Sequence, residues 1–578
     1  MAERKTALVA EAVKAFPQLE GAEISACRPA PSRTGYRTRV KLAVGETRGS
    51  GPLVIGLFQP GTHDVLDIPH CLVVHPGLRP VIDALRTLGC GCELAFVDLR
   101  WSLLEKACHV SLVTRGDNPA GIPDLARRLM QKHPEVVGVG LRRTSGPVPR
   151  TLSGRTEPVA GVESLAESLA GKRFRLSPGA FFQVSPVAAE WLHQEVRSWL
   201  LPGGQRGTSL LDLYAGVGAF AVSLADGFSR VTAVESVEDA AEDARASAAG
   251  SSASVHVVTA AAEDLAETIP GIAADCVVVD PPRRGAGVRV LSALGASPAL
   301  RRAAYVACDP ETAARDAYYL GGFGFRLSRV DSIDMFANTD QVESIFKIEK
   351  GSSGPAPDIT ECAAGVFAVF KPPLVPLAAG LGGSASLLQA AAAAAEVNGL
   401  APVYDLPADA SGPVLLASGQ LPALKGQLAK GTLVRKFTVL VRGVPHKKGH
   451  IRLKGGRRAS PPTCSYRLDR VVGGYGLVQI EILGDYPDTP QRFLAHIRHP
   501  VLGDEETGDR RANRFMAETC ALARPFVHLS SLRIPAADGR HIALESPLPP
   551  DLLLVLRRLD QIREGSDRTA AARYGLGP

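Results

Sequence analysis

The chain lacks most of the features that mark secreted, metal-clustered or membrane proteins. Its 578 residues include only ten cysteines, none of them in a CxxC pair, and Cys90-Gly-Cys92 is the one close spacing. This usage argues against a disulfide framework and against a structural zinc site, so no bound metal is expected. No apolar run reaches membrane-spanning length. The opening MAERKTALVAEAVKAF mixes charges with alanine at helical spacing, unlike a signal peptide. The expectation is a cytoplasmic protein with no membrane partner. A large excess of one charge is missing too. The net charge is only +6, so any case for a nucleic-acid partner has to rest on local clusters.

With 45% hydrophobic and 21% charged residues, the composition is that of a globular protein, and the length calls for two to four domains. Residues 1–170 read as a short amphipathic helix followed by a β-rich, RNA-binding region. TRVKLAV (38–44) alternates, PLVIGLF (52–58) is a buried run, and GTHD supplies a turn. Arg33, Arg37, Arg39 and Lys41 form one basic group, and Arg142, Arg143, Arg150 and Arg155 another. The default for such groups is a solvated face, with a phosphate backbone as the functional alternative.

Residues 171–350 alternate strand and helix patterns, the signal of a parallel α/β sheet of Rossmann-like type. In SLLDLYAGVGAFAVSLA (209–225) an apolar strand meets a turn at Gly216 and Gly218 before a helix begins. Glycine permits the tight turn and the close approach of backbone to ligand. The third glycine of a dinucleotide site is missing. With Glu235 closing the next strand, VTAVE (231–235), the pattern suits an adenosyl ligand whose ribose hydroxyls a carboxylate can hold. DCVVVDPPRRG (275–285) ends a third strand at Asp280, where two prolines stiffen the turn. A fourth, RAAYVA (302–307), ends in Cys308, followed by Asp309-Pro310. A cysteine there lies on the rim where open α/β sheets bind ligands, although a buried structural cysteine is the commoner fate.

These blocks together resemble the RNA uracil-5-methyltransferase family, whose pattern runs FFQ, DLYxGxG, DPPRxG, YVSC(N/D)PxTxARD and DMFPxTxHVE. The chain carries Phe181-Phe182-Gln183, Asp212 to Gly218, Asp280 to Gly285, Tyr305 to Asp316, and Asp334 to Glu343, in that order. IGLFQPGTHDVLDIPHC (55–71) resembles the family's β-rich insert, so the likeness spans about residues 20–350. The resemblance implies an S-adenosylmethionine-dependent enzyme forming 5-methyluridine. Cys308 would be its nucleophile and Glu343 its base. Gln183, Asp212, Tyr214, Gly216, Gly218, Glu235 and Asp280 would line the cofactor, and Pro281, Pro282 and Arg283 would meet the target base. The target should be unpaired or flipped out of its stack. There are departures as well. Ala337 replaces a proline, Asp340-Gln341 stand near the usual histidine, and Ala261 sits where an acidic residue usually meets the adenine, which implies weaker cofactor binding. The amino-terminal oligonucleotide-binding barrel of many members is not expected from this sequence. Cys71 alone remains of the cysteines that hold an iron–sulfur cluster in many members, so no cluster is expected.

KGSSGPAPDIT (350–360) has linker composition, with 351–361 as the expected linker. Beyond it, 362–548 is expected to be one domain, of which about residues 362–535 resemble the pseudouridine synthase family. VFAVFKPPLVPL (366–377), PVYDLPADASGPVLLA (402–417), KFTVLVRG (436–443) and HIRHPVLGDEETG (496–508) follow that family's order. Its chemistry is not preserved: Pro407 stands where the essential aspartate should be, Phe437 replaces the tyrosine, and YPDTPQRFLAH (486–496) has lost most of the GRTHQIR segment. Asp405, Asp409 and Asp469 are the remaining candidate carboxylates. The expectation is a scaffold without isomerase activity that keeps RNA affinity. Between Asp409 and Asp469 there are twelve Lys and Arg and no acidic residue, and Lys447, Lys448, Arg457 and Arg458 sit in the densest part. Ala390–Ala395 reads as a plain helix, and 549–578 as a final amphipathic helix with a tail.

The reading is therefore an RNA uridine methyltransferase fused to a degenerate synthase-like module, with ribosomal RNA preferred over transfer RNA as substrate. The rivals are a bifunctional methyltransferase and synthase, and a non-catalytic RNA-binding protein. The oligomeric state is not legible.

Overall fold

The computed structural model describes all residues except 46–51, 60–61, 89–92, 116–120, 145–154, 252–253, 352–356, 379–385, 420, 430–431, 454–462, 484–488, 536–540 and 565–578. Its centre is an eight-stranded sheet. Read across, the strands are Glu23–Ile24, Phe325–Ile333, Glu343–Lys350, Arg302–Ala307, Cys276–Val279, Gly207–Leu213, Phe228–Glu235 and Ser254–Thr259. All are parallel except Glu343–Lys350, which runs antiparallel to both neighbours.

The inner strands are continuous apolar runs because helices cover both faces of the sheet, so successive residues feed two different cores. Leu211, Leu213, Val277 and Val279 pack with Val290, Ala313 and Ala314 of the helices Val288–Ala296 and Pro310–Gly321. Leu210, Cys276 and Val278 pack on the other side with Leu192, Val196 and Phe220 of Pro186–Leu200 and Ala219–Leu224. Strand order reverses between Gly207–Leu213 and Cys276–Val279, and at such a point the loops leaving the carboxyl ends part to form a crevice.

The β-rich region is a seven-stranded sheet built from residues 39–161, and the helices Arg79–Leu88 and Ile122–Lys132 cover one of its faces. It begins later than the sequence indicates. Glu23–Ile24 pairs with Phe325–Ile333, and the helix Ala2–Lys14 packs its Val9 and Val13 into the core of the central sheet, so the first 28 residues belong with the 171–350 unit. Two of the basic residues are neither a solvated face nor free for phosphate. Arg39 is buried against Asp98 and the carbonyl of Ala180, and buried Arg142 donates to Thr156 Oγ1 at 2.7 Å. Arg150 lies outside the described residues.

The C-terminal part holds a four-stranded sheet (359–417) and a six-stranded antiparallel sheet (434–545), flanked by helices. Ala390–Ala395 lies in the helix Leu387–Ala395, opened by a capping box between Ser386 and Gln389. The last helix, Pro550–Glu564, buries Leu552, Val555, Leu556 and Leu559 as part of the domain's own core. No helix among the described residues is long and apolar enough to cross a membrane.

Candidate active site

Five chain segments converge on the crevice. The first is the turn after Gly207–Leu213, where Tyr214, Gly216 and Gly218 have φ of 62°, 57° and 76°. Glycine suits two of these positions because a side chain there is strained. A Cβ on Gly216 would meet nothing within 4 Å, so the turn presents open backbone. Tyr214 carries the strain with a side chain and points its hydroxyl at Glu263 Oε1, 3.2 Å away.

The second is the end of Phe228–Glu235. Glu235 Oε2 accepts the Gly216 N–H at 2.8 Å and Oε1 accepts the Val237 N–H at 2.7 Å. Oε1 also takes the Ser236 hydroxyl at 3.3 Å, so Oε2 is the oxygen with a second acceptor site for a ribose hydroxyl. Asp212 differs from the expectation that it contacts the cofactor. It is fully buried beneath the turn, with Oδ2 accepting the Ala221 N–H at 2.8 Å and Oδ1 unpartnered. Burial pushes its carboxyl up to about 8, with Asp280 and Glu235 adding to the rise. Asp212 therefore acts as the anchor of the helix that follows the turn.

The third segment is the loop 280–285. Asp280 donates its N–H to Leu213 O at 3.4 Å, and burial pushes its carboxyl up to about 7. Pro281 is buried while Pro282 and Arg283 are exposed. Gly285, at φ 86°, leaves no room for a Cβ, which would sit 2.4 Å from Arg315 Nη2 and 2.6 Å from Asp316 Oδ2. Asp316 also accepts the Ala286 N–H at 2.9 Å, and Arg315 donates to Arg284 O at 2.9 Å. The helix after Cys308 thus fixes the loop beside it.

The fourth and fifth segments are the end of Arg302–Ala307 and the start of Glu343–Lys350. Their antiparallel register pairs Ala307 with Ser344, and Ser344 Oγ donates to Ala307 O at 2.9 Å. One step further, Cys308 stands opposite Glu343. Burial pushes the Cys308 thiol up to about 11, and Glu343, Asp309 and Asp280 push the same way against the pull of Arg283. Glu343 is 4% exposed. Burial first, then the Asp280 charge, hold its carboxyl well above the usual range, with Arg283 opposing. Cys308, Glu343, Asp280 and Arg283 therefore form one electrostatic group.

Gln183 is buried on the segment 180–184, which is tied to the seven-stranded sheet through Arg39 to Ala180 O and Thr38 N to Val184 O, while Phe181 beside it is 60% exposed. Lys447 precedes, and Lys448 opens, the edge strand Lys448–Arg452 of the six-stranded sheet in the C-terminal domain, and neither belongs to the segments that form the crevice. Arg457 and Arg458 lie outside the described residues, as do Cys90 and Cys92. Among the described residues no three His, Cys, Asp or Glu are grouped to hold a metal. The sequence reading missed Glu263, Arg315 and Asp316 as supports of the crevice. The ARD of residues 314–316 was visible, but which loop it braces was not. A shallow cavity at the amino ends of the strands, lined by Arg197, Leu201, Arg206 and Asp226, contains none of the predicted site residues.

An open glycine turn and an acidic strand end at the switch point of a sheet whose last strand is antiparallel define the class of S-adenosylmethionine-dependent methyltransferases. Residues 172–350 match the family described as tRNA (uracil-5-)-methyltransferase. An RNA methyltransferase of Geobacter sulfurreducens is 33% identical over 358 residues, 58% of this chain and 70% of its own. One from Thermosynechococcus vestitus is 31% identical over 366 residues, 59% of this chain and 77% of its own. The chain belongs to the RNA uracil-5-methyltransferase family. Among solved structures, the tRNA (uracil-54, C5)-methyltransferase of Pyrococcus abyssi with S-adenosyl-L-homocysteine superposes with a TM-score of 0.47 and 25% identity, covering 59% of this chain and 83% of that one. Human RNA pseudouridylate synthase domain containing 4 gives 0.30 and 16%, covering 35% and 92%.

Proposed function

We propose that this protein methylates carbon 5 of a uridine in RNA, with Cys308 as nucleophile and Glu343 as the base that clears the product. The observation that carries this is the apposition of those two side chains at the crevice, beside Asp280 and Arg283 and next to the glycine turn. Gly216, Gly218, Glu235, Tyr214 and Gln183 would hold S-adenosylmethionine, which supplies an electrophilic methyl group when bound. Carbon 5 of uracil is a poor nucleophile. The Cys308 thiolate adds at carbon 6, and the ring electrons move to make carbon 5 an enolate carbon. After carbon 5 has gained its methyl, the Glu343 carboxylate takes the remaining carbon-5 proton. The carbon-6–sulfur bond then breaks and Cys308 leaves.

Burial raises both the Asp280 and Glu343 carboxyls, and the Asp280 charge raises Glu343 further. A cationic sulfonium nearby would oppose that rise and favour the ionised, proton-accepting form of Glu343. The C-terminal domain serves as an RNA-holding module without isomerase chemistry. Pro407 has no carboxylate, and Phe437, where the family's tyrosine would be, is 4% exposed and packed in the core. Ribosomal RNA is the preferred substrate. The test is RNA substituted with 5-fluorouridine, whose carbon 5 has no proton to lose: incubated with cofactor, it should become covalently attached at Cys308. No adduct despite bound cofactor would refute the reading. Mapping 5-methyluridine in ribosomal and transfer RNA with and without the gene identifies the target.

A further inference from the structure

The helix Pro310–Gly321 begins two residues after Cys308 and is fastened to the C-terminal domain at three levels. At its start, Arg558 Nη2 lies 3.0 Å from each Asp309 oxygen, and its Nε donates to Glu311 Oε2 at 2.8 Å. Arg557 also pairs with Glu311. In the middle, Arg315 Nη1 donates to Ala521 O at 2.7 Å. At the far end, Tyr319 donates to Asp551 Oδ2 at 2.9 Å, and Asp551 is paired with the fully buried Arg524. Apolar residues of the two parts form one continuous core in which Tyr318 and Tyr319 join Val375, Leu377 and Leu554. A large apolar contact of this kind fixes the relative position of domains instead of letting them swing.

Asp309 is the crossing point. Its Oδ1 accepts the Glu311 and Thr312 N–H groups, each at 3.1 Å, and so caps the helix, while both oxygens also take Arg558 Nη2. The guanidinium thus spans two carboxylates, Nη2 on Asp309 and Nε on Glu311, and a planar group held at two points fixes orientation as well as distance. The Arg558 side chain is 15% exposed, so solvent screens the contact little. Asp309 is the neighbour of Cys308, and a residue 249 positions further along the chain sets its rotamer.

We propose that Arg558 is a positioning residue for methyl transfer, holding the Cys308 loop through Asp309, so that the C-terminal domain completes the catalytic site of the methyltransferase domain. The proposal rests on the reading of Cys308 as nucleophile. The pairs at Arg315, Tyr319 and Arg524 do not involve Arg558, and Glu311 keeps its pair with Arg557, so removal of Arg558 leaves the other fastenings of the domains in place. A displacement of about 1 Å at a nucleophile can cost up to about a hundredfold in rate.

The experiment uses the full chain, with 5-fluorouridine-substituted RNA for adduct formation and RNA from cells lacking the gene for turnover. Arg558→Ala should lower kcat and the adduct rate by about tenfold or more. KM for RNA and for S-adenosylmethionine should stay within about twofold, and Arg558→Lys, which keeps the charge but not the fork, should recover part of the loss. Arg470→Ala, which removes the exposed Arg470–Asp560 pair (3.9 Å) on the same final helix, should match wild type. Unchanged kcat in folded Arg558→Ala would overturn the proposal, as would a loss that only tracks the folded fraction by near-ultraviolet circular dichroism. A wild-type chain that forms no adduct would instead overturn the assignment of Cys308.

Discussion

Cys308 and Glu343 come one step beyond the last pair of an antiparallel ladder, Ala307 and Ser344, close enough for the Glu343 charge to act on the Cys308 thiol. This places the group that must attack the ring and the group that must later take its proton on one side of the sheet end. The two roles separate by mutation. Cys308→Ala should abolish both methyl transfer and covalent attachment. Glu343→Gln should leave attachment intact and slow product release by about 10²–10⁴-fold, because the amide cannot accept the proton. On unmodified RNA, a denaturing gel should then show a protein–RNA band with Glu343→Gln that is missing with Cys308→Ala.

The thiol state sets a pH dependence. In the chain without ligands Cys308 is pushed up to about 11, mainly by burial and then by Glu343. Below that value the thiol predominates, and the reactive thiolate falls about tenfold for each unit of falling pH. Carboxymethylation of Cys308, followed by peptide mass, should therefore rise steeply from pH 7 to 10. Arg283 is the one charge drawing the value down. Arg283→Ala should move the profile to higher pH. A profile that does not move would remove Arg283 from the site.

Much of this site is legible in sequence because each apolar run stops at a residue with chemistry: Tyr214, Glu235, Asp280 and Cys308 all stand at strand ends. What is not legible depends on pairing at a distance. The strand Glu23–Ile24 has two residues, too few for any periodicity, and only its register with Arg329 and Val330 assigns the first residues to the central sheet. Asp212 looks like a ligand because it shares a motif with Gly216. Side chains alternate across a strand, and its place is on the inside. The contact from Arg558 to Asp309 joins residues that no local pattern connects. Arg39 reads as part of a basic surface but lies under the 180–184 segment, neutralised by Asp98.

Asp212 gives a stability test. Its carboxyl rises from the usual 3.8 to about 8 on folding. The folded chain then binds more protons than the unfolded one between those values, so this group makes stability fall as pH rises from about 4 to 8. Asp212→Asn keeps an acceptor for the Ala221 N–H and cannot ionise. It should be close to wild type at acidic pH and gain on it as pH rises, followed by urea unfolding at several pH values. Asp212→Ala strands the Ala221 N–H and should cost about 1–3 kcal/mol throughout.

The C-terminal domain offers the last test. Lys448, His450 and Arg452 alternate along an exposed edge strand and pair with Arg467, Ser465 and Thr463, so Lys448, Arg452 and Arg467 share one face, with Asp469 further along the partner strand. Cations on such a face bind phosphate and release counterions, and the affinity of the contact depends on salt. Replacing Lys447 and Lys448 together with alanine should weaken RNA binding and flatten the plot of log affinity against log salt by about 1 to 2 units. The single-turnover rate on saturating RNA should stay unchanged, since neither lysine lies on a loop around Cys308. Filter binding from 50 to 300 mM salt, about the range in which such slopes are resolved, reads the first effect, and rapid quench reads the second. An unaltered slope would remove this edge from the RNA interface and leave the domain's hold on Asp309 as its contribution to the enzyme.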